Sequence, residues 1–238
     1  MNGKYSISII LPVYNEEYNL RQVIEDIVNF LQNQEIFEKY EIIAIDDGSS
    51  DNTAKILREL IYKIPYLKLI THCKNSGYGK ALMSGVKISQ YPLVFFMDSD
   101  GQFIITEINK MLFHLQDFDI ITGYRYKRKD KLYRVILGKI YSCLVTILFG
   151  LRIKDINCGF KLFRKEIFSN NVDIQCKDGA FYTEIFLRAV NNGYEIKQIP
   201  VEHFPRLRGR GTGGNPGIIW NSLIDLFRLK YLKNHNII

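Results

Sequence analysis

Five apolar residues, Leu93-Val94-Phe95-Phe96-Met97, run without a polar break into Asp98-Ser99-Asp100-Gly101-Gln102. An uninterrupted run of this length reads as a strand covered on both faces, and such strands belong to parallel sheets layered between helices. Ligands of these sheets gather at the carboxyl ends of the strands, which is where the two acids stand. In extended backbone Asp98 and Asp100 face the same side, roughly 6 to 7 Å apart at Cα. Both reach one hard cation, Mg²⁺ or Mn²⁺, whose preferred ligands are carboxylate, carbonyl and water oxygens, and Gln102 adds a neutral oxygen. A plain polar turn has the same composition, so the rest of the chain has to decide between the two.

The other apolar runs fit the same design. Residues 6–13 alternate little and lead into Leu20, Val23, Ile24, Ile27, Val28 and Leu31 at helical spacing. Residues 41–45 predict a second strand, followed by a helix with Ile56, Leu57, Leu60, Ile61 and Ile64 as its buried stripe. A third strand is expected over 67–71, ahead of a helix carrying Ala81, Leu82, Val86 and Ile88. A helix around 106–115 and a strand over 119–123 follow, and the chain ends with a strand over 194–204 and an amphipathic helix over 218–232. Strands alternating with helices indicate an α/β fold. At 238 residues and 47% hydrophobic, the chain can bury one sizeable core. The first run is followed by no cleavage-site pattern, so it reads as a strand and the protein is expected in the cytoplasm. Four scattered cysteines without a CxxC argue against a zinc site or a disulfide framework.

Each predicted strand end carries polar residues. In Pro12-Val13-Tyr14-Asn15-Glu16-Glu17, Tyr14 offers a face to a nucleobase and Glu16 or Asn15 a bond to it; Asn15 equally suits a helix N-cap. In Asp46-Asp47-Gly48-Ser49-Ser50-Asp51, capping accounts for the last three residues but not for the adjacent acids. Acceptor-only carboxylates suit the N–H edge of a uracil or guanine and ribose hydroxyls. Asn75-Ser76-Gly77-Tyr78-Gly79-Lys80 is either a phosphate neighbour with free backbone N–H groups or a turn built for close helix packing. It is neither a Walker A loop nor GxGxxG.

The net charge of +7 suits nucleic acid, anionic lipid or phosphorylated substrates alike. Its distribution is more informative: residues 125–139 hold seven Lys or Arg against one acid, Asp130, and run into the apolar stretch 140–149. That stretch is shorter than the roughly 20 residues a bilayer requires. A basic segment leading into an apolar helix suits a membrane interface, at about 1 kcal/mol per basic side chain near anionic lipid; core packing beside a solvated charge run is the alternative. No stacking platform adjoins it, which disfavours nucleic acid. The loop 205–215, with Arg206, Arg208 and Arg210 among four glycines, is suited to fold over an anion or to serve as a passive basic linker.

Five stretches stand in an order that resembles the family-2 glycosyltransferases of GT-A fold, in the branch of dolichol-phosphate mannose synthases and polyprenyl-phosphate glycosyltransferases. They are Pro12 to Glu17, Asp46 to Thr53, Asn75 to Ala81, Met97 to Gln102 and Cys158-Gly159-Phe160-Lys161-Leu162-Phe163. The resemblance implies a Rossmann-like, three-layer α/β/α fold with a mostly parallel mixed sheet and interfacial amphipathic helices. Its catalytic domain would span 1–215, including an interfacial segment 125–152, with a basic amphipathic helix over 216–238. It implies that Pro12, Tyr14, Glu16, Ile45 and Asp47 hold the nucleoside and that Asp98, Asp100 and Gln102 hold Mg²⁺ or Mn²⁺. Ser99, Arg125 and Arg206 would contact the diphosphate or the acceptor phosphate.

The implied activity is inverting transfer of a hexose from a GDP- or UDP-linked sugar to a polyprenyl phosphate, by a protein peripheral to the cytoplasmic face of the membrane. Arg206 would add electrostatic stabilisation. A phosphate acceptor is already anionic. A sugar hydroxyl, as in transfer to a polysaccharide or lipid-linked oligosaccharide, needs a base, for which Asp155 and Glu184 are the candidates; Glu184 also reads as an ordinary exposed helix residue. A nucleotide-sugar-binding scaffold without turnover is the remaining alternative. The chain departs from the family at Gly211-Thr212, where a Lys is common, so that contact is either absent or taken over by Arg208 or Arg210.

Overall fold

The computed structural model describes residues 4–169, 174–206, 208–209 and 216–235. The elements run β1 (Tyr5–Val13), α1 (Leu20–Gln32), β2 (Phe37–Asp46), α2 (Thr53–Ile61), β3 (Leu67–Thr71), α3 (Tyr78–Ile88), β4 (Leu93–Met97), α4 (Ile108–Leu112), β5 (Ile120–Tyr126), α5 (Leu132–Phe149), β6 (Phe160–Arg164), α6 (Phe181–Asn191), β7 (Ile196–Glu202) and α7 (Pro216–Asn234). One seven-stranded sheet has the order β3-β2-β1-β4-β6-β5-β7. β6 alone is antiparallel to its neighbours, pairing Met97 with Phe160 and Ile120 with Phe163. Because β6 is reversed, the loop that precedes it arrives at the same edge as the carboxyl ends of the other six strands. β1 is flanked by β2 on one side and β4 on the other, so the chain changes direction across the sheet between β1 and β4. That switch point is where open α/β sheets bind ligands.

Apolar residues fill both faces of the sheet. Ile7, Ile9, Leu11 and Phe95 pack with α1, α2 and α4, while Ile10, Ile43, Ile45 and Phe96 pack with α3, α5, α6 and α7. This double coverage explains why the strand sequences do not alternate. Phe95 and Phe160 meet edge to face at 4.7 Å between β4 and β6. A loss of either ring costs about 3 to 5 kcal/mol.

Three expectations are refined. The helix expected around 106–115 is a 3-10 turn over Ile105–Glu107 followed by five residues of α4. The apolar stretch 140–149 is the second half of the 18-residue α5, which by length and composition alone suffices to cross a membrane. One face of it packs on the body: Ser142, Val145 and Phe149 are buried, and the Tyr141 hydroxyl meets Thr183 Oγ1 at 3.2 Å. α7 packs beside it through the buried Leu226 and Leu229, and Lys230 Nζ donates to the Leu148 carbonyl at 2.7 Å.

Candidate active site

The acids of the Asp98 loop stand at the switch point. The Ser99 hydroxyl donates to the Pro12 carbonyl at 2.8 Å and ties the end of β4 to the end of β1. Asp98 accepts a 2.7 Å bond from the Tyr78 hydroxyl, which itself lies 2.8 Å from the Tyr182 hydroxyl. Gly159 makes room for this carboxylate: a Cβ there would sit 2.2 Å from Asp98 Oδ2. Burial, then the neighbouring Asp100, push the Asp98 carboxyl up to about 6. Burial raises Asp100 as well, with Arg206 opposing it. Two crowded acids raised above their ordinary range are a pair whose charge a cation would stabilise.

Gln102 completes the loop. Its amide nitrogen donates to the Phe204 carbonyl at 2.9 Å and the Phe204 N–H returns a bond to the Gln102 carbonyl, which frees Oε1 for another partner and fastens the end of β7 to this loop. Two residues on, Arg206 reaches Asp100 Oδ2 at 3.2 Å and Glu16 Oε1 at 2.6 Å. Burial lifts Glu16 to about 7 in spite of bonds from Asn19 and Arg206. Two carboxylates and an amide oxygen, with an arginine as present counter-charge, fit a hard divalent cation that completes its shell with water or phosphate oxygens. Among the described residues no group of three or more His, Cys, Asp or Glu forms a self-sufficient metal cage.

The nucleoside residues are brought together only in part. Pro12, Tyr14, Glu16 and Asp47 line the same cavity as Asp98 and Asp100. Ile45 does not: it is fully buried in the core against α3 and cannot touch a ligand. Asp47 is largely occupied by its own chain. It accepts bonds from the Ser76 and Gly77 N–H groups at 2.9 Å each, and His72 Nδ1 lies 2.6 Å away, with the Ser84 hydroxyl 3.0 Å from His72 Nε2. The glycine turn therefore binds an anion, but that anion is Asp47. Gly79 serves packing, since a Cβ there would lie 2.4 Å from the Phe181 ring. Asn15 is not the cap of α1, whose N-cap is Asn19. Its side chain instead accepts the Ser50 N–H at 2.8 Å, joining the loops after β1 and β2.

Both candidate bases are corrected. Asp155 takes the Arg125 guanidinium on two oxygens, at 2.6 and 2.7 Å, together with the Arg125 backbone N–H. Burial opposes its charge, but these bonds outweigh burial and hold it down at about 2. A carboxylate at that level is a poor proton acceptor at neutral pH. Glu184 is fully buried and accepts the Gln175 and Cys176 N–H groups and the Arg188 guanidinium. It fastens α6 to the preceding loop and does not line the cavity. Of the arginine loop, Leu207 and residues 210–215, including Arg210 and Gly211-Thr212, lie outside the described residues. The Arg208 carbonyl accepts bonds from Asn19 and from Arg206 Nε.

Sequence reasoning passed over several residues. Lys161 is fully buried beside the site, bonding Thr122 Oγ1 at 2.7 Å under the Tyr182 ring, and burial lowers it to about 8. Arg128, Arg134 and His203 line the cavity with Arg125. The lone acid in a basic segment was the available signal for them.

Six co-directional strands around one reversed strand, with paired carboxylates at the switch point, define an α/β fold of the GT-A kind. The chain belongs to glycosyl transferase family 2, whose family model matches residues 8–172. It is 31% identical over 215 residues to a dolichyl-phosphate beta-glucosyltransferase of Trichomonas vaginalis, covering 82% of this chain and 63% of the relative. It is 30% identical over 199 residues to the undecaprenyl-phosphate 4-deoxy-4-formamido-L-arabinose transferase of Proteus mirabilis, covering 82% of this chain and 58% of the relative. The chain thus spans about six-tenths of the length of these relatives. Its fold is similar to that of glucosyl-3-phosphoglycerate synthase from Mycobacterium tuberculosis, solved with Mn²⁺, uridine diphosphate and phosphoglyceric acid. The TM-score is 0.71 at 16% identity, over 96% of this chain and 78% of that one.

Proposed function

We propose that this protein transfers a hexose from a nucleotide diphosphate sugar to a polyprenyl phosphate at a membrane surface, with inversion. One observation carries the reading. A single cavity of about 670 Å³ joins the Tyr14, Asp47 and Asp98 side of the sheet to Arg125 and Arg134, and continues to an apolar wall made by Leu137, Ile140 and Leu144 of α5 and Ile219 and Leu223 of α7. A nucleotide, an anion and a lipid chain each find matching chemistry along it.

Asp98, Asp100 and the Gln102 side-chain oxygen would hold the divalent cation, which when bound supplies Lewis-acid neutralisation of the leaving diphosphate. Tyr78 fixes the Asp98 carboxylate and Arg206 brings a further positive charge to the same place. Arg125, steadied by Asp155, faces the acceptor phosphate. An anionic phosphate oxygen attacks the anomeric carbon without a base, and the nucleoside diphosphate leaves with the electron pair of the broken C–O bond. Asp155 and Glu184 are both engaged in ion pairs, which supports an acceptor that needs no deprotonation over a sugar hydroxyl.

The outer faces of α5 and α7 support the membrane setting. Leu132, Ile147, Trp220 and Phe227 are each at least 66% exposed, and Lys127, Lys131 and Lys139 are exposed beside them. Such a mixture of apolar and basic side chains suits an anionic bilayer surface. The family relationship and the bound nucleotide of the structural neighbour support the donor class. The test is transfer of radiolabelled sugar from a panel of UDP- and GDP-sugars to a polyprenyl phosphate, with Mg²⁺ or Mn²⁺. A lipid-linked product is expected, and its absence across the panel overturns the reading.

A further inference from the structure

The basic segment sorts its charges by residue type. Lys127, Lys129, Lys131 and Lys139 are exposed, whereas Arg125, Arg128 and Arg134 turn into the cavity wall. The three guanidiniums converge on the only acid of the segment. Asp130 lies 2.5 Å from Arg128 Nε, 3.1 Å from Arg134 Nη1 and 3.5 Å from Arg125 Nη1. His203 Nε2 stands 3.9 Å away. His203 Nδ1 accepts the Lys129 N–H, so the imidazole proton is on the nitrogen facing Asp130.

We propose that Asp130 is a positioning residue that presents Arg128 and Arg134 to the acceptor phosphate. This rests on the phosphate-acceptor reading above and deepens it. Arg125 does not depend on Asp130, because Asp155 already grips it on two oxygens. Arg128 comes no nearer to Asp155 than 4.0 Å, and Arg134 pairs with Asp130. Without Asp130 these two guanidiniums would face each other and Arg125 across one wall with a single carboxylate among them. Like charges at this spacing drive each other apart.

The order of burial says which way the cluster faces. The Asp130 side chain is 3% exposed, against 12%, 14% and 24% for Arg125, Arg128 and Arg134. Asp130 borders the same cavity, but its carboxylate is more covered than the three guanidiniums grouped on it, which leaves the guanidiniums as the more accessible partners for a phosphate. Three guanidiniums against Asp130 and Asp155 leave one positive charge toward the cavity. A second observation points the same way. A Cβ on Gly138 would lie 2.7 Å from Arg128 Nη1, so Arg128 in its present position rests against α5 at a glycine, and a side chain there would push the guanidinium tip aside. Guanidiniums held in fixed orientation are the form in which arginine recognises phosphate oxygens best.

The test compares binding of a short isoprenyl monophosphate and of the matching isoprenyl alcohol to the whole protein, by titration calorimetry, with steady-state kinetics alongside. For Asp130→Asn the expected result is at least tenfold weaker monophosphate binding and a similarly raised KM for the acceptor, with alcohol binding and the KM for the donor within about twofold of wild type. Asp130→Glu should recover part of the loss. Unchanged or tighter monophosphate binding by Asp130→Asn overturns the proposal while leaving the phosphate acceptor intact. Failure of the wild type to bind the monophosphate better than the alcohol overturns the acceptor reading and this proposal together. If Asp130→Asn does not fold, Gly138→Ala decides. Alanine suits a helix, and the added methyl should displace Arg128 and weaken the monophosphate alone; undiminished binding overturns the proposal.

Discussion

The Arg206 guanidinium lies 2.6 Å from Glu16 although 190 residues separate the two in sequence. The pair joins the loop after β1 to the chain beyond β7. It is also uneasy, since burial raises the Glu16 carboxyl from 4.5 to about 7. The folded protein therefore keeps a proton on Glu16 that the unfolded chain gives up, and stability falls as pH rises from about 4.5 to about 7 and is level above that. At pH 4 glutamine is a near replica of the protonated side chain, and Glu16→Gln should leave the melting temperature almost unchanged. At pH 8 it should stabilise by up to about 3 kcal/mol. Thermal melts of both proteins at the two pH values check this, and an equal shift at both would refute it.

Gly159→Ala places a methyl group where the Asp98 carboxylate now lies. The carboxylate must turn away from its bond with Tyr78, and affinity for Mn²⁺ in the presence of UDP should fall about 10- to 100-fold. Electron paramagnetic resonance of free Mn²⁺ measures this directly. Retained affinity would mean that Asp98 is not part of the cation site.

Arg206→Ala removes the positive charge beside Asp100. If that charge acts on the leaving diphosphate, kcat should drop by roughly 10² to 10³, whereas an arginine that only holds the loop would mainly alter KM. Rapid-quench measurement of a single turnover separates the two.

Glu184→Ala should leave turnover per folded molecule within about twofold and cost about 3 to 5 kcal/mol of stability, because it removes a fully buried carboxylate from its ion pair with Arg188 and from two backbone N–H bonds. Urea unfolding and active-site titration together check it. A large loss of turnover in a fully folded variant would return Glu184 to the list of bases.

Trp220→Ala combined with Phe227→Ala tests the membrane face. Each exposed ring contributes roughly 1.5 to 3 kcal/mol if it enters lipid, so partition onto anionic vesicles should drop at least tenfold in a sedimentation assay. Binding that is insensitive to both rings would place the contact elsewhere.

The strands and their order along the chain were legible because a doubly covered strand cannot alternate: 6–13, 41–45 and 93–97 had no other reading. β6 was quoted as a motif but not as a strand. Its Lys161 breaks the apolar run, and its burial is tolerated because the ammonium bonds Thr122 Oγ1 and lies under the rings of Tyr182 and Phe186. The acid pair, Glu16 and Asp47 line one cavity because strand ends converge in such sheets, and Arg206 joins them from the loop after β7. Ile45 was assigned to the nucleoside only through the family resemblance, and it packs into the core beneath α3. Glu184 looked exposed from helix position alone, since the loop whose N–H groups it binds has no periodicity to reveal it. Asp130 was visible as an exception to the charge, but its three arginines come from a strand end, a loop and a helix, and no spacing rule relates those.

The reversed strand has a consequence for how this sequence can change. Gly159 meets Asp98 only because Phe160 is paired with Met97. Sliding β6 by one residue would bring a cysteine or a phenylalanine against the carboxylate. The segment between α5 and β6 is therefore a counted interval: a one-residue insertion or deletion there is read out as lost chemistry before it is felt as lost stability. The turn between α1 and β2, at the opposite edge, is free of that arithmetic, and length variation should accumulate there first.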